Sequence, residues 1–215
     1  MKRSGSSRRW LARHVSDAYV KRASREGLRS RAAYKLEALD CEDRLFRPGQ
    51  AVVDLGAAPG GWSQYLAQKL GPRGRIIAVD LLPMTPVAGV DFIQGDFTDP
   101  AVQARVREAL GRPADLVISD MSPNITGIRD ADEAHCAGVY RAAFDFSRRQ
   151  LSPGGTMVVK VFEGQAAQQF RRLCARAFGS VTARKPGASR AESREYYLVC
   201  RKLAAEAEAL QNAET

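Results

Sequence analysis

The chain of 215 residues is long enough for one domain with a proper hydrophobic core and too short for two ordinary domains. Hydrophobic residues make up 45% of it and charged residues 27%, which is typical of a soluble globular protein and excludes a disordered one. No apolar run reaches the roughly 18 residues of a membrane-spanning helix, so no membrane span is predicted.

The net charge of +9 is concentrated near the N-terminus. Residues 1–31 hold ten Lys and Arg against two acids, so this segment alone carries +8. A basic segment on a nearly neutral domain indicates a polyanionic partner, and we predict a basic binding arm over residues 1–28. An Arg- and Ser-rich, acid-poor start is also typical of a mitochondrial transit peptide, an alternative that composition leaves open.

The apolar periodicity predicts strands and helices that alternate along most of the chain. In chain order the strands are predicted at 51–55, 75–80, 90–94, 115–120, 156–162, 180–184 and 195–201. The helices are predicted at 31–39, 62–70, 99–110, 134–151 and 165–178, with Asp99 as the N-cap of the third, and residues 204–215 as a frayed helix or a disordered tail. Alternation of this kind indicates a mainly parallel sheet with helices on both faces.

The last two predicted strands are joined by residues 185–194, which contain no predicted helix. A crossover between parallel strands normally needs a helix, so these two strands should pair antiparallel. Six parallel strands with an inserted antiparallel seventh form the Rossmann-like architecture of methyltransferases that use S-adenosylmethionine. We therefore predict an α/β domain of that class over residues 29–203.

The first strand breaks into a Gly-rich turn that opens a helix, which is where α/β sheets bind their ligands. Gly56 is followed by Ala57, where a dinucleotide fingerprint needs a second glycine, and no phosphate-binding loop is present. The turn fits S-adenosylmethionine, with Gly60 and Trp62 at the pocket wall. NAD is the competing cofactor, and the missing glycine argues against it.

Two carboxylates follow the next two strands at the same edge of the predicted sheet. Asp80 ends the second strand, where it can accept hydrogen bonds from both ribose hydroxyls of a nucleoside, in S-adenosylmethionine or in NAD. Asp96 lies two residues after the third strand and can accept from an adenine amino group. Each acid alone could be a cap or a turn residue, but together they predict a nucleoside pocket.

A second group of charged residues is predicted above the same edge. Asp120 ends the fourth strand, and Lys160 interrupts the otherwise apolar fifth strand, where an unpaired lysine is rarely buried. Because the seventh strand runs in the opposite direction, its first residue, Glu195, reaches this edge too. Lys35 joins the group if its helix packs across the edge, although an isolated amphipathic helix would leave it exposed.

Two amines and two carboxylates near a sulfonium donor suit the methylation of an alcohol. The hydroxyl must be oriented for attack on the methyl group, and it must lose its proton. Burial disfavours the charged form of an amine, whereas a neighbouring carboxylate favours it. The residues leave open whether Lys160 takes the proton or only orients the hydroxyl.

Cysteine and histidine spacing predicts neither a metal site nor a disulfide framework. The residues are scattered along the chain: Cys41, Cys136, Cys174, Cys200, His14 and His135. Reduced thiols in a cytosolic protein are the expected state, and no metal is predicted.

The chain resembles the FtsJ/RrmJ family of S-adenosylmethionine-dependent RNA ribose 2′-O-methyltransferases over about residues 5–202. Several segments carry the resemblance in order: 27–36, 52–65, 80–84, 95–97, 119–121, 158–162 and 194–195. Residues 128–136 and the acidic tail depart from the family pattern, and the resemblance implies no role for them.

The resemblance implies a Lys-Asp-Lys-Glu tetrad at Lys35, Asp120, Lys160 and Glu195, with Lys160 as the proton acceptor. It implies cofactor contacts at five positions: Gly60, Trp62, Asp80, Asp96 and Asp120. Similarity to the bacterial member implies a cytoplasmic enzyme, expected to be a monomer, that methylates a uridine in the A-loop of 23S rRNA within the large ribosomal subunit.

Two alternatives to this function remain open. Relatives in the family methylate tRNA or mRNA caps, and a non-catalytic RNA-binding assembly factor would share the basic arm. In each case the arm, with basic residues of the domain, would line a groove for phosphates. The residues expected there are Arg44, Arg47, Arg184, Lys185, Arg190 and Arg194.

Overall fold

The computed structural model describes residues 17–123, 125–190 and 192–205. Its strands are β1 (Ala51–Leu55), β2 (Arg75–Asp80), β3 (Asp91–Gln94), β4 (Ala114–Ser119), β5 (Leu151–Phe162), β6 (Phe178–Arg184) and β7 (Glu195–Leu203). Its helices are α1 (Ala18–Arg25), α2 (Ala33–Asp43), α3 (Gly61–Leu70), α4 (Pro100–Leu110), α5 (Arg129–Gln150) and α6 (Gln165–Ala177). Most of the predicted arm (residues 1–16) and most of the predicted tail (residues 206–215) lie outside the described residues.

The strands form one sheet in the order β3-β2-β1-β4-β5-β7-β6. Strands β1 to β5 are parallel to one another, and β7 lies between β5 and β6, antiparallel to both. The predicted Rossmann-like fold is confirmed, including the inserted antiparallel strand. The reversal brings the start of β7 to the edge of the sheet where the parallel strands end, because Glu195 pairs with Phe162.

Helices cover both faces of the sheet. Successive strand residues point to opposite faces, so each buried strand contributes to two cores. Val53, Val117 and Val159 belong to the larger core, which also contains residues of α4, α5 and α6. The second core contains Val52 and Val158, packed with apolar residues of α2 and α3. Functional side chains on the second face therefore lie on the same side of the sheet as α2 and α3.

Helix α5 begins at Arg129, earlier than the prediction of residue 134. Its first turns are polar, so the apolar periodicity does not reveal them. The carboxylate of Asp132 holds the preceding loop by accepting from the main-chain N–H groups of Thr126 (2.6 Å) and Gly127 (3.0 Å). Glu133 accepts from the N–H of Ala166 (2.7 Å) at the start of α6. Residues in the stretch 128–136 thus order two neighbouring segments.

Strand β5 begins at Leu151, not at the predicted residue 156. Leu151 pairs with Ala114 and Thr156 pairs with Leu116, so the intervening residues form an irregularity in the strand. Gly154 lies there with a φ of +79°, a conformation that favours glycine. The sequence Pro-Gly-Gly at residues 153–155 therefore lies in a bulge at the start of the strand.

Helix α1 is part of the predicted arm and packs against α2. Its N-cap is Asp17, whose carboxylate accepts from the N–H of Tyr19 at 3.0 Å. Ala23 is buried, and the rings of Tyr19 and Tyr34 lie 5.5 Å apart. The last residues of the predicted arm are thus held against the domain.

All four cysteines are free thiols. In the part of the chain that the structure describes, no cluster of His, Cys, Asp and Glu could hold a metal ion. No helix within the described ranges combines the length and the apolar character needed to cross a membrane.

Candidate active site

The Gly-rich turn after β1 is held against β2 by main-chain hydrogen bonds. The N–H groups of Gly56 and Ala57 donate to the carbonyl of Val79 at 2.9 and 3.2 Å. Gly60 ends the turn with a φ of +102°, and a Cβ atom there would lie 2.9 Å from the sulfur of Met84. Only glycine fits without movement, because both the backbone conformation and the space are restricted.

Asp80 ends β2, and each of its two carboxylate oxygens accepts from a different main-chain N–H group. Its Oδ2 accepts from the N–H of Ala58 and its Oδ1 from the N–H of Leu82, both at 2.8 Å. These bonds fix the carboxylate at the rim of the turn. A carboxylate oxygen can accept a second hydrogen bond, so Asp80 retains acceptor capacity for a pair of hydroxyls.

Asp96 and Trp62 differ in which of their groups are accessible to a ligand. Asp96 is exposed, and its Oδ1 accepts from both the N–H and the hydroxyl of Thr98 at 2.8 and 2.7 Å. The indole of Trp62 is buried and donates to the carbonyl of Ala32 at 2.8 Å. Trp62 therefore offers a ligand its main-chain N–H in the first turn of α3, while its ring belongs to the core.

Arg29 joins three segments around this pocket. Its guanidinium donates to the carbonyls of Pro59 (3.3 Å), Thr85 (2.5 Å) and Pro86 (2.5 Å). The segment before α2 is thereby tied to the Gly-rich turn and to the loop after β2. Nothing in the sequence pattern singled out Arg29 from the other basic residues near the N-terminus.

Asp54 is a buried carboxyl in β1 that sequence reasoning missed. It accepts a hydrogen bond from the hydroxyl of Ser63 at 2.7 Å. Burial raises the pKa of Asp54 to about 7, with smaller contributions from the charges of Asp120 and Asp80. The available signal was an acid within a wholly buried strand, the same signal that drew attention to Lys160 in β5.

Lys160 and Asp120 form an ion pair at the end of β4 and β5. The Nζ atom of Lys160 lies 3.1 Å from Oδ1 of Asp120 and donates to its main-chain carbonyl at 2.5 Å. The hydroxyl of Tyr197 donates to the same Oδ1 at 2.6 Å. Burial, and then the charge of Asp120, raise the pKa of Tyr197 well above its usual range. Tyr197 therefore stays protonated and holds the carboxylate in position. No sequence pattern singled out Tyr197.

Lys35 and Glu195 form the second ion pair. Their Nζ and Oε1 atoms lie 2.6 Å apart, and both side chains are nearly buried. Burial raises the pKa of Glu195, but the hydrogen bond and charge of Lys35, with a smaller contribution from Lys160, hold it below its usual value. Glu195 is therefore ionised at neutral pH, and α2 does pack across the edge of the sheet.

The four residues meet because β5 and β7 are antiparallel. Tyr197 pairs with Lys160 in the sheet, and Glu195 is two residues before Tyr197 on the same face. The Nζ of Lys35 lies 5.9 Å from the ring centre of Tyr197, which places the second ion pair beside the first. Two amines and two carboxylates thus form one cluster on the α2 and α3 side of the sheet.

A cavity of about 340 Å³ opens beside this cluster. Residues of α2 and of the segment before it line the cavity, together with residues of the loop between β6 and β7 and the first residue of β7: Arg31, Ala32, Lys35, Arg190, Glu192, Ser193 and Glu195. The cavity is large enough for part of a polar substrate next to the two ion pairs.

Other basic residues expected in a groove are engaged in contacts of their own. The guanidinium of Arg184 forms an ion pair with Asp43 at 2.7 Å, and Lys185 donates to the carbonyl of Ser193 at 3.0 Å. The charge of Arg184 and a hydrogen-bond donor of Lys185 are thus used within the fold. Arg190 differs from them because it faces the cavity.

The model of the FtsJ-like methyltransferase family matches residues 28–203. The chain belongs to the FtsJ-like methyltransferase family. The match includes both halves of the site, from the Gly-rich turn to the start of β7.

Two relatives and one solved structure that are similar to this chain are named as ribosomal RNA methyltransferases. The chain is 52% identical over 200 residues to ribosomal RNA large subunit methyltransferase E of Azoarcus sp. (strain BH72), covering 93% of this chain and 98% of that protein. It is 50% identical over 202 residues to the protein of the same name from Pseudomonas aeruginosa (strain UCBPP-PA14), covering 94% and 98%. A crystal structure from Plasmodium falciparum, assigned as a ribosomal RNA methyltransferase, superposes with a TM-score of 0.73 at 26% identity, over 81% of this chain and 98% of that one.

Proposed function

We propose that this protein transfers a methyl group from S-adenosylmethionine to a ribose 2′-hydroxyl of 23S rRNA. One observation carries the proposal: Lys160 is buried and paired with Asp120, and the neighbouring Lys35–Glu195 pair lines an open polar cavity. A structural lysine would not need this position. An amine at that point can serve a hydroxyl that enters from the cavity.

The residues around the Gly-rich turn fit the methyl donor. Asp80 has acceptor capacity for the ribose hydroxyls, Asp96 is exposed for an amino group, and Gly60 lets the backbone come close. The main-chain N–H of Trp62, in the first turn of α3, suits a carboxylate. S-Adenosylmethionine supplies an electrophilic methyl group on a sulfonium centre. Asp120 follows β4 at the same edge of the sheet, and we expect it to contact the donor as well as Lys160.

Lys160 acts on the acceptor hydroxyl in this proposal. After the ammonium of the ion pair has released a proton to solvent, its amine accepts a hydrogen bond from the hydroxyl and takes up the hydroxyl proton when the oxygen becomes methylated. The resulting ammonium is stabilised by the Asp120 carboxylate, which Tyr197 holds in position. Lys160 thereby both orients the hydroxyl and removes its proton.

The Lys35–Glu195 pair has a positioning role beside Lys160. The ionised Glu195 keeps Lys35 at the cavity wall, and Lys35 compensates its charge. A hydroxyl entering the cavity meets donors from Lys35 and an acceptor from Glu195 on one side. The pair therefore limits the orientations that the ribose can take near Lys160.

Ribosomal RNA is the proposed substrate because the relatives with about half of their residues identical are named for it. The N-terminal charge suits a polyanion. Following the family resemblance, we propose a uridine of the A-loop in the large ribosomal subunit, methylated in the cytoplasm. A loop is suitable because an unpaired nucleotide can turn its ribose towards the enzyme.

The test is transfer of labelled methyl groups from S-adenosylmethionine to large ribosomal subunits that lack the modification. We expect one methyl group per subunit, mapped to the 2′-oxygen of an A-loop uridine. Small subunits and fully modified large subunits serve as controls. Transfer to tRNA or capped mRNA instead would move the activity to another substrate. Binding of RNA without transfer to any of them would indicate an assembly factor.

A further inference from the structure

Two arginines at the cavity beside the catalytic cluster share one carboxylate. Arg31 forms an ion pair through Nη1 with Oδ2 of Asp17, and Nε of Arg190 lies 3.4 Å from the same oxygen. Both arginines line the cavity that also contains Lys35 and Glu195. Asp17 belongs to the segment before α1, and Arg190 to the loop between β6 and β7.

Neither guanidinium uses all of its donors. The Nε of Arg31 is buried and has no hydrogen-bond partner among the described residues. Arg190 makes one long contact with Asp17, and its side chain is about one-third exposed, at 32%. A guanidinium fork matches the oxygens of a phosphate, which can accept several of these donors at once.

Asp17 is ionised and so acts as an internal anion for the two arginines. Burial raises its pKa, but the charge of Arg31, the N–H of Tyr19 and the hydrogen bond of Arg190 leave it below its usual value. A carboxylate and a phosphate oxygen compete for the same donors. The two arginines thus form an anion-binding site, which the carboxylate of Asp17 occupies in this structure.

We propose that Arg31 and Arg190 bind the phosphate on the 3′ side of the acceptor ribose, and that Asp17 occupies them until RNA arrives. The inference rests on the proposed function, because Lys160 defines where the 2′-oxygen lies. The 2′-oxygen and the 3′-phosphate are on neighbouring ribose carbons, so the phosphate must bind close to the cluster. Arg31 is four residues before Lys35 in the chain, and both side chains line the same cavity.

Asp17 also caps α1, so the substitution must preserve the cap. Asparagine caps a helix as well as aspartate does, so Asp17→Asn keeps the cap through Oδ1. It replaces Oδ2, the oxygen that both arginines contact, by an amide NH2 group that cannot accept from them. Arg190→Gln removes the charge of the more exposed arginine. The matched control is Arg105→Gln, an exposed arginine of α4 on the opposite face of the sheet.

The experiment measures KM and kcat for unmodified large subunits at several salt concentrations. For Arg190→Gln we expect KM to rise about ten-fold at 0.1 M salt, with kcat nearly unchanged, and the slope of log KM against log salt to fall by about one. Asp17→Asn should lower KM, because the arginines no longer have a competing carboxylate. Arg105→Gln should match the wild type. Unchanged cofactor affinity shows that each variant is folded.

An RNA hairpin with a single uncharged methylphosphonate 3′ of the acceptor ribose tests the position. The wild type should lose as much affinity for it as Arg190→Gln loses for the normal hairpin, and the variant should lose nothing further. An unchanged salt slope for Arg190→Gln, or weaker binding by Asp17→Asn, overturns the phosphate site while wild-type transfer persists. Absence of wild-type transfer overturns the proposed function instead.

Discussion

The two halves of the catalytic edge differ in whether their buried carboxyl groups have an ion-pair partner. In the acceptor half, formed by β4, β5, β7 and α2, Asp120 is paired with Lys160 and Glu195 with Lys35. In the donor half, formed by β1 to β3 and α3, the fully buried Asp54 has no ion-pair partner among the described residues. Its bonded neighbour is the hydroxyl of Ser63.

This difference determines which groups are charged at neutral pH. A buried carboxylate with a cation beside it remains ionised, and removing the cation leaves an uncompensated charge. A buried carboxyl without one has a raised pKa and keeps its proton to a higher pH, so its effect depends on pH. The acceptor half should therefore be sensitive to the loss of a partner, and the donor half to pH.

The largest effect is expected from removing the amine of Lys160. Lys160→Ala should lower the rate of methyl transfer by about 10²- to 10⁴-fold, because no other group replaces the amine at the acceptor hydroxyl. Its affinity for S-adenosylmethionine should stay within a few-fold of the wild type, since the donor half is unchanged. Single-turnover transfer and cofactor binding by calorimetry measure the two quantities.

Lys69→Ala is the matched control for this variant. Lys69 also pairs with a buried aspartate, Asp40, at 3.3 Å, but outside the catalytic cluster. It should transfer methyl groups at the wild-type rate. A Lys160→Ala protein with full activity would remove Lys160 from the mechanism.

The next effect is the pH dependence of stability due to Asp54. Its pKa is raised, so between about pH 4 and about pH 7 the unfolded chain loses a proton that the folded protein keeps. The free energy of unfolding should therefore fall by about 4 kcal/mol as pH rises through this window and level off above it. Asp54→Asn should flatten this slope, measured by urea unfolding at several pH values.

The titration of Glu195 does not obscure this measurement. The pKa of Glu195 is lowered, so its contribution to stability is present above its unfolded value of 4.5 and is lost only as pH falls further. Asp99→Asn, at an exposed helix cap, is the control and should keep the wild-type slope. A slope that survives in Asp54→Asn would mean that this carboxyl is already ionised in the fold.

The smallest of the three effects is expected for the Lys35–Glu195 pair. Lys35→Met should destabilise the protein by about 3 kcal/mol, because Glu195 is left nearly buried without a cation. The double variant Lys35→Met, Glu195→Gln should recover most of that loss. Urea unfolding of both single variants and the double variant gives the coupling energy. Additive losses would show that the pair does not act as a unit.

The fold was predictable because its signals are local or follow from chain direction. Apolar strands alternating with helices indicate the parallel sheet, and the helix-free connection 185–194 indicates the reversal of β7. The start of α5 was not predictable from periodicity, since its first turns are polar and are ordered by contacts of Asp132 and Glu133. Such contacts depend on which loops lie nearby in space.

The site was predictable where a residue conflicts with its surroundings. Lys160 stands out because a lysine is unusual within a buried strand, and Glu195 follows from the reversed strand. Tyr197 and Arg29 did not stand out, because an aromatic residue in a strand and an arginine in a basic segment are ordinary. Their roles come from hydrogen bonds to Asp120 and to three distant carbonyls, which only the tertiary structure defines.

The reversed direction of β7 also decides which connection can change without harm to the sheet. If β7 were parallel to β5, the loop before it would lie at the opposite edge of the sheet, far from the catalytic cluster. The antiparallel strand brings the connection between β6 and β7 over the catalytic edge, as the tip of the hairpin that these two strands form. Lengthening or shortening that hairpin tip would reshape the wall met by an incoming RNA, while strand pairing and the donor pocket stay intact. Substrate range in this architecture can therefore diversify through a single exposed connection.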